Sequence, residues 1–408
     1  MSSITVIKKD TTLVKRFLPL YIAVFLHGII FWYAIEKLFM TTIGLNSQAI
    51  AAIIIVFTAL TLTVNVPIGI LADRWSRKAV LMLASCFMIT SCVVAGSSHG
   101  FGTYLIAACF AGLFYACYQG VYDSLTYDLL IEEMGNAKAY DHFRGKVQLY
   151  DGIALTIGAL GSALIAHYLH FRAAYFLTIP FSLSALIALC YFKEPKVHKK
   201  EVNELVSMHI RSTFQAVFRK GEILWVVITL VFISIAIKLL LDFDQLWFVA
   251  IGLPVVLYGP FDAILLSSFT SGGFLNTKFT QGGLLIMSGC IALLSCFCLF
   301  LHQSILIIGA QTTIVTVMVL YSIVFEGYLH DNLASKIRVS AASVVSTIGG
   351  LLFLPVAYVF GRVSHQYNIF HATWVVIVIV FMTFVAGFKV IAQKSTGRRN
   401  INSTEKGH

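Results

Sequence analysis

Residues 69–81 read Gly69-Ile70-Leu71-Ala72-Asp73-Arg74-Trp75-Ser76-Arg77-Lys78-Ala79-Val80-Leu81, with long apolar runs on either side. An ionic side chain at the centre of a bilayer costs ~3 kcal/mol or more, so Asp73, Arg74, Arg77 and Lys78 belong where a membrane helix leaves the lipid. The stretch reads as a tight charged turn joining two membrane-spanning helices, and the rest of the chain can be placed around it.

Of the 408 residues, 58% are hydrophobic and 12% charged, about half the ~25% charged fraction of soluble proteins. Apolar runs of about 20 residues recur from end to end, long enough for a helix to cross ~30 Å of hydrocarbon. Backbone groups in lipid must be satisfied within their own segment, which selects helices. The short alternating segments of a membrane barrel are absent from the sequence.

The reading is therefore an all-α integral membrane protein with twelve transmembrane helices in two pseudo-symmetric six-helix bundles. Spans 1–6 cover 16–40, 47–68, 79–96, 101–131, 142–167 and 173–192. Spans 7–12 cover 222–248, 254–276, 282–301, 304–332, 335–361 and 371–392. The apolar run at 17–33 has no small-residue cleavage site and is retained as part of span 1. The N-terminal bundle occupies 1–192 and the C-terminal bundle 222–392, with a basic linker at 193–221 and a polar, basic, cytoplasmic tail at 393–408. In the linker Val202, Leu205, Val206, Ile210 and Phe214 recur at helical spacing. That pattern fits an amphipathic helix on the membrane surface or a partly disordered connector.

The net charge is +10, but its placement argues against nucleic acid. Of the 29 Lys and Arg, all but Lys37, Arg172, Arg362 and Lys238 fall on one side of an even-numbered helical topology. This asymmetry places both termini and the linker in the cytoplasm, with the plasma or cell inner membrane as the expected location. All eight cysteines lie within apolar spans and read as small buried hydrophobes.

The two halves look related. At an offset of 203 residues Gly69 and Asp73 fall on Gly272 and Asn276, and Asp123 and Asp128 fall on Glu326 and Asp331. Together with the pattern G-x-L-A-D-R-x-x-R-K-x-x-L in the opening stretch, this arrangement resembles the major facilitator superfamily, whose signature loop joins spans 2 and 3. Ser76 stands where that pattern has Gly. The resemblance implies two six-helix halves related by an axis along the membrane normal, a substrate site between them and alternating access. It also implies a gating set of Gly69, Asp73, Arg74, Arg77, Lys78 and Asp128, with Glu326 and Asp331 as repeat counterparts. In that set Asp73 should approach the start of span 11, whose helix dipole favours an anion, and Arg77 should meet Asp128. The drug-proton antiporters of the superfamily carry a Gly-Pro motif in span 5; here Gly158-Ala159-Leu160-Gly161 has the glycines without the proline.

Ionisable and polar groups inside spans are the candidates for chemistry. In span 4 Tyr115, Tyr118, Gln119, Tyr122 and Thr126 share one helical face, with Asp123 at its edge. Rings with amide and hydroxyl groups suit an amphipathic organic solute, and a buried helix–helix seam suits them equally. His27 of span 1 and Lys238 of span 7 complete the substrate-binding set. Asp151 in span 5 and Asp262 in span 8 have no opposite charge within a turn of their own helices. They read as cavity acids able to carry a proton. Lys238 can pair with Asp242 four residues on, or with Asp262 across helices. Glu36 and Lys37 read as an interfacial ion pair on the face opposite His27.

No phosphate loop, dinucleotide fingerprint or H-E-x-x-H motif occurs, so no cofactor, metal or enzymatic activity is expected. The expected function is proton-coupled, alternating-access efflux of small hydrophobic or cationic compounds by a monomer, closest in style to drug-efflux antiporters. Protons or another coupling ion, the solute and the lipid bilayer are its expected partners. Import of a sugar or small organic solute is the alternative transport reading; a transport-dead membrane sensor sharing the fold and an integral membrane enzyme are alternatives from other functional classes.

Overall fold

The computed structural model describes residues 3–118, 120–134, 140–195, 221–276, 282–333 and 338–405. Gln119 and linker positions 196–220, where the amphipathic pattern falls, lie outside the described residues. The first elements are α1 (Ser3–Gly28), a 3-10 turn (Tyr33–Ile35), α2 (Glu36–Thr42), α3 (Ser47–Arg74) and α4 (Arg77–Gly96). There follow α5 (Phe101–Tyr118), α6 (Val121–Met134), α7 (Tyr140–Tyr168) and α8 (Phe171–Tyr191). Then come α9 (Gly221–Ala250), a 3-10 turn (Val255–Leu257), α10 (Tyr258–Asn276) and α11 (Gly282–Cys298). The chain ends with α12 (Ser304–Asp331), α13 (Arg338–Gln366) and α14 (Ile369–Glu405).

Among the described residues no strand is present, and ten helical segments are long and apolar enough to cross a membrane. The 19-residue α10 and the 17-residue α11 are the eighth and ninth spans and complete the twelve. Side chains such as Leu160, Leu164, Ile187, Leu294 and Phe381 are exposed along these helices. In an integral membrane protein such faces meet acyl chains, which explains their size and number.

The chain divides into two compact units, Met1–Glu201 with Pro254–Ala263, and Val202–Leu253 with Ile264–His408. Within the first, α1 packs on α7 and α8, and α4 packs on α5 and α8. Within the second, α9 packs on α13 and α14, and α11 packs on α12 and α14. In span numbers these pairs are 1–5, 1–6, 3–4 and 3–6, then 7–11, 7–12, 9–10 and 9–12. The same partners recur six spans later, so the halves are structural repeats.

Two spans expected as continuous helices are broken. Span 1 leaves helical geometry between α1 and the 3-10 turn, where Ile29, Ile30 and Trp32 are all buried. The freed Phe31 N–H donates to Thr178 Oγ1 at 3.1 Å, which supplies the partner that lipid cannot. The glycines of α7 make room for this break. A Cβ on Gly158 would stand 2.9 Å from both the N and the O of Ile30, and one on Gly161 would strike the Phe31 ring at 2.7 Å. Span 4 is broken between α5 and α6 at Gly120, whose φ of +76° is the left-handed region that Gly adopts without strain.

The cysteines depart from expectation. Cys92, Cys117 and Cys296 are buried, whereas Cys86, Cys190 and Cys290 lie on exposed faces of membrane helices. A thiol behaves as a small hydrophobe, and lipid accepts it as readily as a protein core does.

The Gly158 contact is with backbone, which cannot rotate away. Gly158→Ala should therefore destabilise the protein by ~1–3 kcal/mol through overpacking. Gly152→Ala, on the same helix with nothing within 4 Å, should be neutral or slightly stabilising. Thermal unfolding of the purified variants in detergent measures both, and equal stability of the two would remove the proposed contact.

Candidate functional site

Span 1 carries His27 one residue before its α-helix ends, and the imidazole is 2% exposed. Its Nδ1 lies 2.9 Å from Tyr122 Oη of α6, and its Nε2 lies 2.8 Å from Ser85 Oγ of α4. The rings of Phe114 and Tyr118 meet it edge-on, with centroids at 5.6 and 5.8 Å. Tyr118, the last residue of α5, donates its hydroxyl to Asp151 Oδ1 of α7 at 2.7 Å. The Tyr118 and Tyr122 rings lie 4.9 Å apart across the span 4 break, and Tyr122 is within electrostatic reach of the Asp151 carboxylate.

Gly28 brings these groups together. A Cβ there would lie 2.8 Å from Ala154 Cβ and 3.0 Å from Asp151 Oδ1, so only a glycine lets α7 carry its acid this close to α1. Asp151 and Tyr118 keep partial exposure while His27, Ser85 and Tyr122 are buried. The result is an acid held by a neutral hydroxyl in aromatic surroundings. Among the described residues no Lys or Arg forms an ion pair with Asp151.

A second set lies at the 69–81 turn. Arg77 donates to Asp73 Oδ1 from Nη2 at 2.9 Å and from Nε at 3.3 Å, and it forms an ion pair with Asp128 of α6. Ser76, where the family pattern has Gly, is the N-cap of α4 and accepts from the Ala79 N–H at 3.0 Å. It also donates to Glu194 Oε2 at 2.5 Å. Glu194 Oε1 accepts from the N–H groups of Arg77 at 2.6 Å and Lys78 at 3.3 Å, so this carboxylate sits on the positive end of α4. Lys78 Nζ returns the contact, donating to the Cys190 and Phe192 carbonyls at the end of α8 at 2.9 and 2.8 Å. A crevice of about 350 Å³ lined by Asn65, Gly69, Asp73, Arg77, Gly120 and Ser124 joins the turn to the break in span 4. Gly69 and Arg74 are exposed.

The other sequence candidates lie apart from these two sets. Tyr115, on α5 with Tyr118, packs its ring on Phe57 and Phe114. Thr126 is fully buried, and Asp123 pairs with Arg144 at 3.2 Å. Lys238 pairs with Asp242 at 3.0 Å and lies over the Phe353 ring at 4.9 Å. Asp262 is 2% exposed near the start of α10, and Glu326 and Asp331 are exposed on α12. Glu36 pairs with Lys37 but also accepts from Tyr104 Oη at 3.0 Å, within a buried cluster with Tyr175.

Sequence reasoning missed Ser85, Glu194, Asp244 and Gln311. Asp244, 1% exposed, is a third charge in the span 7 stretch that already held Lys238 and Asp242, and its presence in an apolar helix was a readable signal. Gln311 of α12 donates to the Asp244 carbonyl at 3.3 Å. Nothing local marked Ser85 or Glu194.

The family model for the Major Facilitator Superfamily matches residues 17–337. An uncharacterized transporter, BU466, of Buchnera aphidicola subsp. Acyrthosiphon pisum (strain APS) is 23% identical over 128 residues, an alignment that spans only 31% of that relative and 31% of this chain. Among solved structures, the nucleoside transporter NupG superposes with a TM-score of 0.74 at 15% identity, covering 92% of this chain and 98% of its own. A bacterial homologue of the human lysosomal transporter Spinster gives 0.72 at 14%, covering 94% and 97%. A D-xylose-proton symporter gives 0.67 at 15%, covering 92% and 97%. At these identities the structures establish a shared fold.

Glu194 ties the α4 N-terminus to the end of α8 through bonds of one carboxylate. Glu194→Ala should lower stability by ~1–2 kcal/mol, the usual worth of a helix cap and its charge. Glu194→Gln, which keeps an acceptor oxygen, should lose less. Thermal unfolding reads both, and an unshifted midpoint in Glu194→Ala would show that these bonds contribute nothing.

Proposed function

The chain belongs to the Major Facilitator Superfamily, and on that premise we propose that it is a proton-coupled exporter of small hydrophobic or cationic compounds. It is a multi-pass membrane transporter rather than an enzyme. In this reading it works by alternating access in the plasma or cell inner membrane, as a monomer with both termini and the 193–221 linker cytoplasmic.

The observation that carries the reading is Asp151, an acid in a membrane helix whose bonded partner among the described residues is the Tyr118 hydroxyl and not a cation. Such a carboxylate can hold a proton or a cationic ligand, but both only at a large electrostatic or desolvation cost. Competition for one acid couples the two movements: ligand arriving from one side displaces a proton, and a proton arriving from the other displaces ligand. The rings of His27, Phe114, Tyr118 and Tyr122 supply the apolar and cation-attracting surroundings for such a compound. Asp262 is the second candidate for the coupling proton.

The 69–81 turn acts as the gate. Ion pairs that water reaches contribute only ~1 kcal/mol each, yet a population ratio shifts tenfold for each ~1.4 kcal/mol. The Arg77 pairs with Asp73 and Asp128 are sufficient to bias one conformation over another.

Two experiments in proteoliposomes test this reading. Asp151→Asn should abolish proton-driven accumulation of a hydrophobic cation while leaving its downhill exchange measurable; undiminished accumulation in both Asp151→Asn and Asp262→Asn would exclude these acids from coupling. Arg77→Asp should impair transport and favour the inward-open state, and adding Asp128→Arg should restore part of the activity. A double variant no better than either single one would exclude the pair as a gate element.

A further inference from the structure

In the His27 cluster each hydrogen has one place to go. Ser85 Oγ lies 3.3 Å from the Leu81 carbonyl oxygen and 2.8 Å from His27 Nε2. Assigning its single hydrogen to the carbonyl puts a hydrogen on Nε2, which Ser85 accepts. Both bonded partners of the buried ring are neutral hydroxyls, and the Asp151 carboxylate beside it spends its hydrogen bond on Tyr118, so the ring is assigned as neutral. A neutral ring protonated on Nε2 offers a lone pair on Nδ1, and the Tyr122 O–H at 2.9 Å donates to it. The opposite tautomer would strand the Tyr122 hydrogen, which has no other acceptor among the described residues, and would draw Ser85 away from Leu81. Tyr118 likewise commits its hydrogen to Asp151 Oδ1 at 2.7 Å.

The hydrogens of Ser85, Tyr118 and Tyr122 are thus all spent inside the protein. Tyr118 and Asp151, both partly exposed, and Tyr122, buried behind them, have only oxygen lone pairs left. We propose that this acceptor-only surface selects organic ammonium ions carrying at least one N–H over quaternary ammonium ions of the same size. Ser85, fully buried between His27 and Leu81, is the positioning residue that sets this preference through the His27 tautomer. The inference rests on the reading of the site as one for cationic compounds and adds a donor requirement to it. Both kinds of cation gain from the aromatic faces, but only an N–H cation also forms charge-assisted bonds to the phenol and carboxylate oxygens.

The test uses purified full-length protein in detergent at neutral pH, with binding measured by calorimetry. The probes are N,N-dimethylbenzylamine against benzyltrimethylammonium, and the corresponding biphenylmethyl pair. Wild-type protein should bind the tertiary member of each pair about tenfold more tightly, the scale of one charge-assisted hydrogen bond. In Ser85→Ala the ring is free to carry its hydrogen on Nδ1, which turns the Tyr122 O–H outward, and the ratio should fall at least threefold. Tyr122→Phe removes one acceptor and should lower the ratio as well. Equal binding of tertiary and quaternary ions, no binding of either pair, or an unchanged ratio in both variants overturns the donor requirement. Proton-driven flux of both pair members alike from proteoliposomes would leave the exporter reading intact and remove only the donor requirement. A tenfold binding preference without proton-coupled flux would do the reverse.

Discussion

The hydrocarbon core of a bilayer holds no hydrogen-bond donor or acceptor, and the architecture of this chain follows from that scarcity. Helices satisfy their own backbones, which is why the described regular structure is helical. Where a helix breaks, the bundle must supply partners, and it does so: Thr178 of α8 receives the N–H that the break in span 1 releases. Several buried polar side chains find partners in the same way. His27 is bonded at both nitrogens, Tyr104 reaches Glu36 and Tyr175, and Gln311 reaches a main-chain carbonyl of α9.

Absent side chains position the site as much as present ones do. Gly28, Gly158 and Gly161 let α1 and α7 approach until backbone meets backbone or acid. That approach brings Asp151 next to the end of α1, one residue from His27. The break in span 4 at Gly120 then falls between Tyr118 and Tyr122, whose rings meet across it and whose hydroxyls reach Asp151 and His27. Packing and chemistry are therefore set by the same few residues.

At the end of the bundle that carries the 69–81 turn, ionic contacts replace buried neutral bonds because water is near. Each is weak, and their effect comes from being connected. Glu194 holds the α4 terminus, Lys78 holds the end of α8, and Arg77 is left to reach Asp73 and Asp128. The serine in place of the family's glycine is part of this arrangement, since its hydroxyl both caps α4 and binds Glu194.

Hydropathy and charge along the chain were enough to read the solvent, the helical class, the twelve spans, the internal repeat and the family resemblance. These are properties of hydropathy and charge along one dimension, and a bilayer about 30 Å thick reads them directly. The sequence also marked Asp151, His27 and the Tyr118–Tyr122 stretch, since polar groups in apolar runs stand out on composition alone. Which of them meet follows from how the helices pack. The periodicity of span 4 put Asp123 at the edge of the Tyr118 face, but one left-handed glycine changes the phase of the helix, and Asp123 goes to Arg144 instead. Ser85 and Glu194 are ordinary residues in their local sequence, distinguished only by partners 58 positions away in one case and more than a hundred in the other. Local pattern reports which side of a helix avoids water. Which polar groups share a hydrogen depends on where helices break and cross, and that is settled only when the bundle packs.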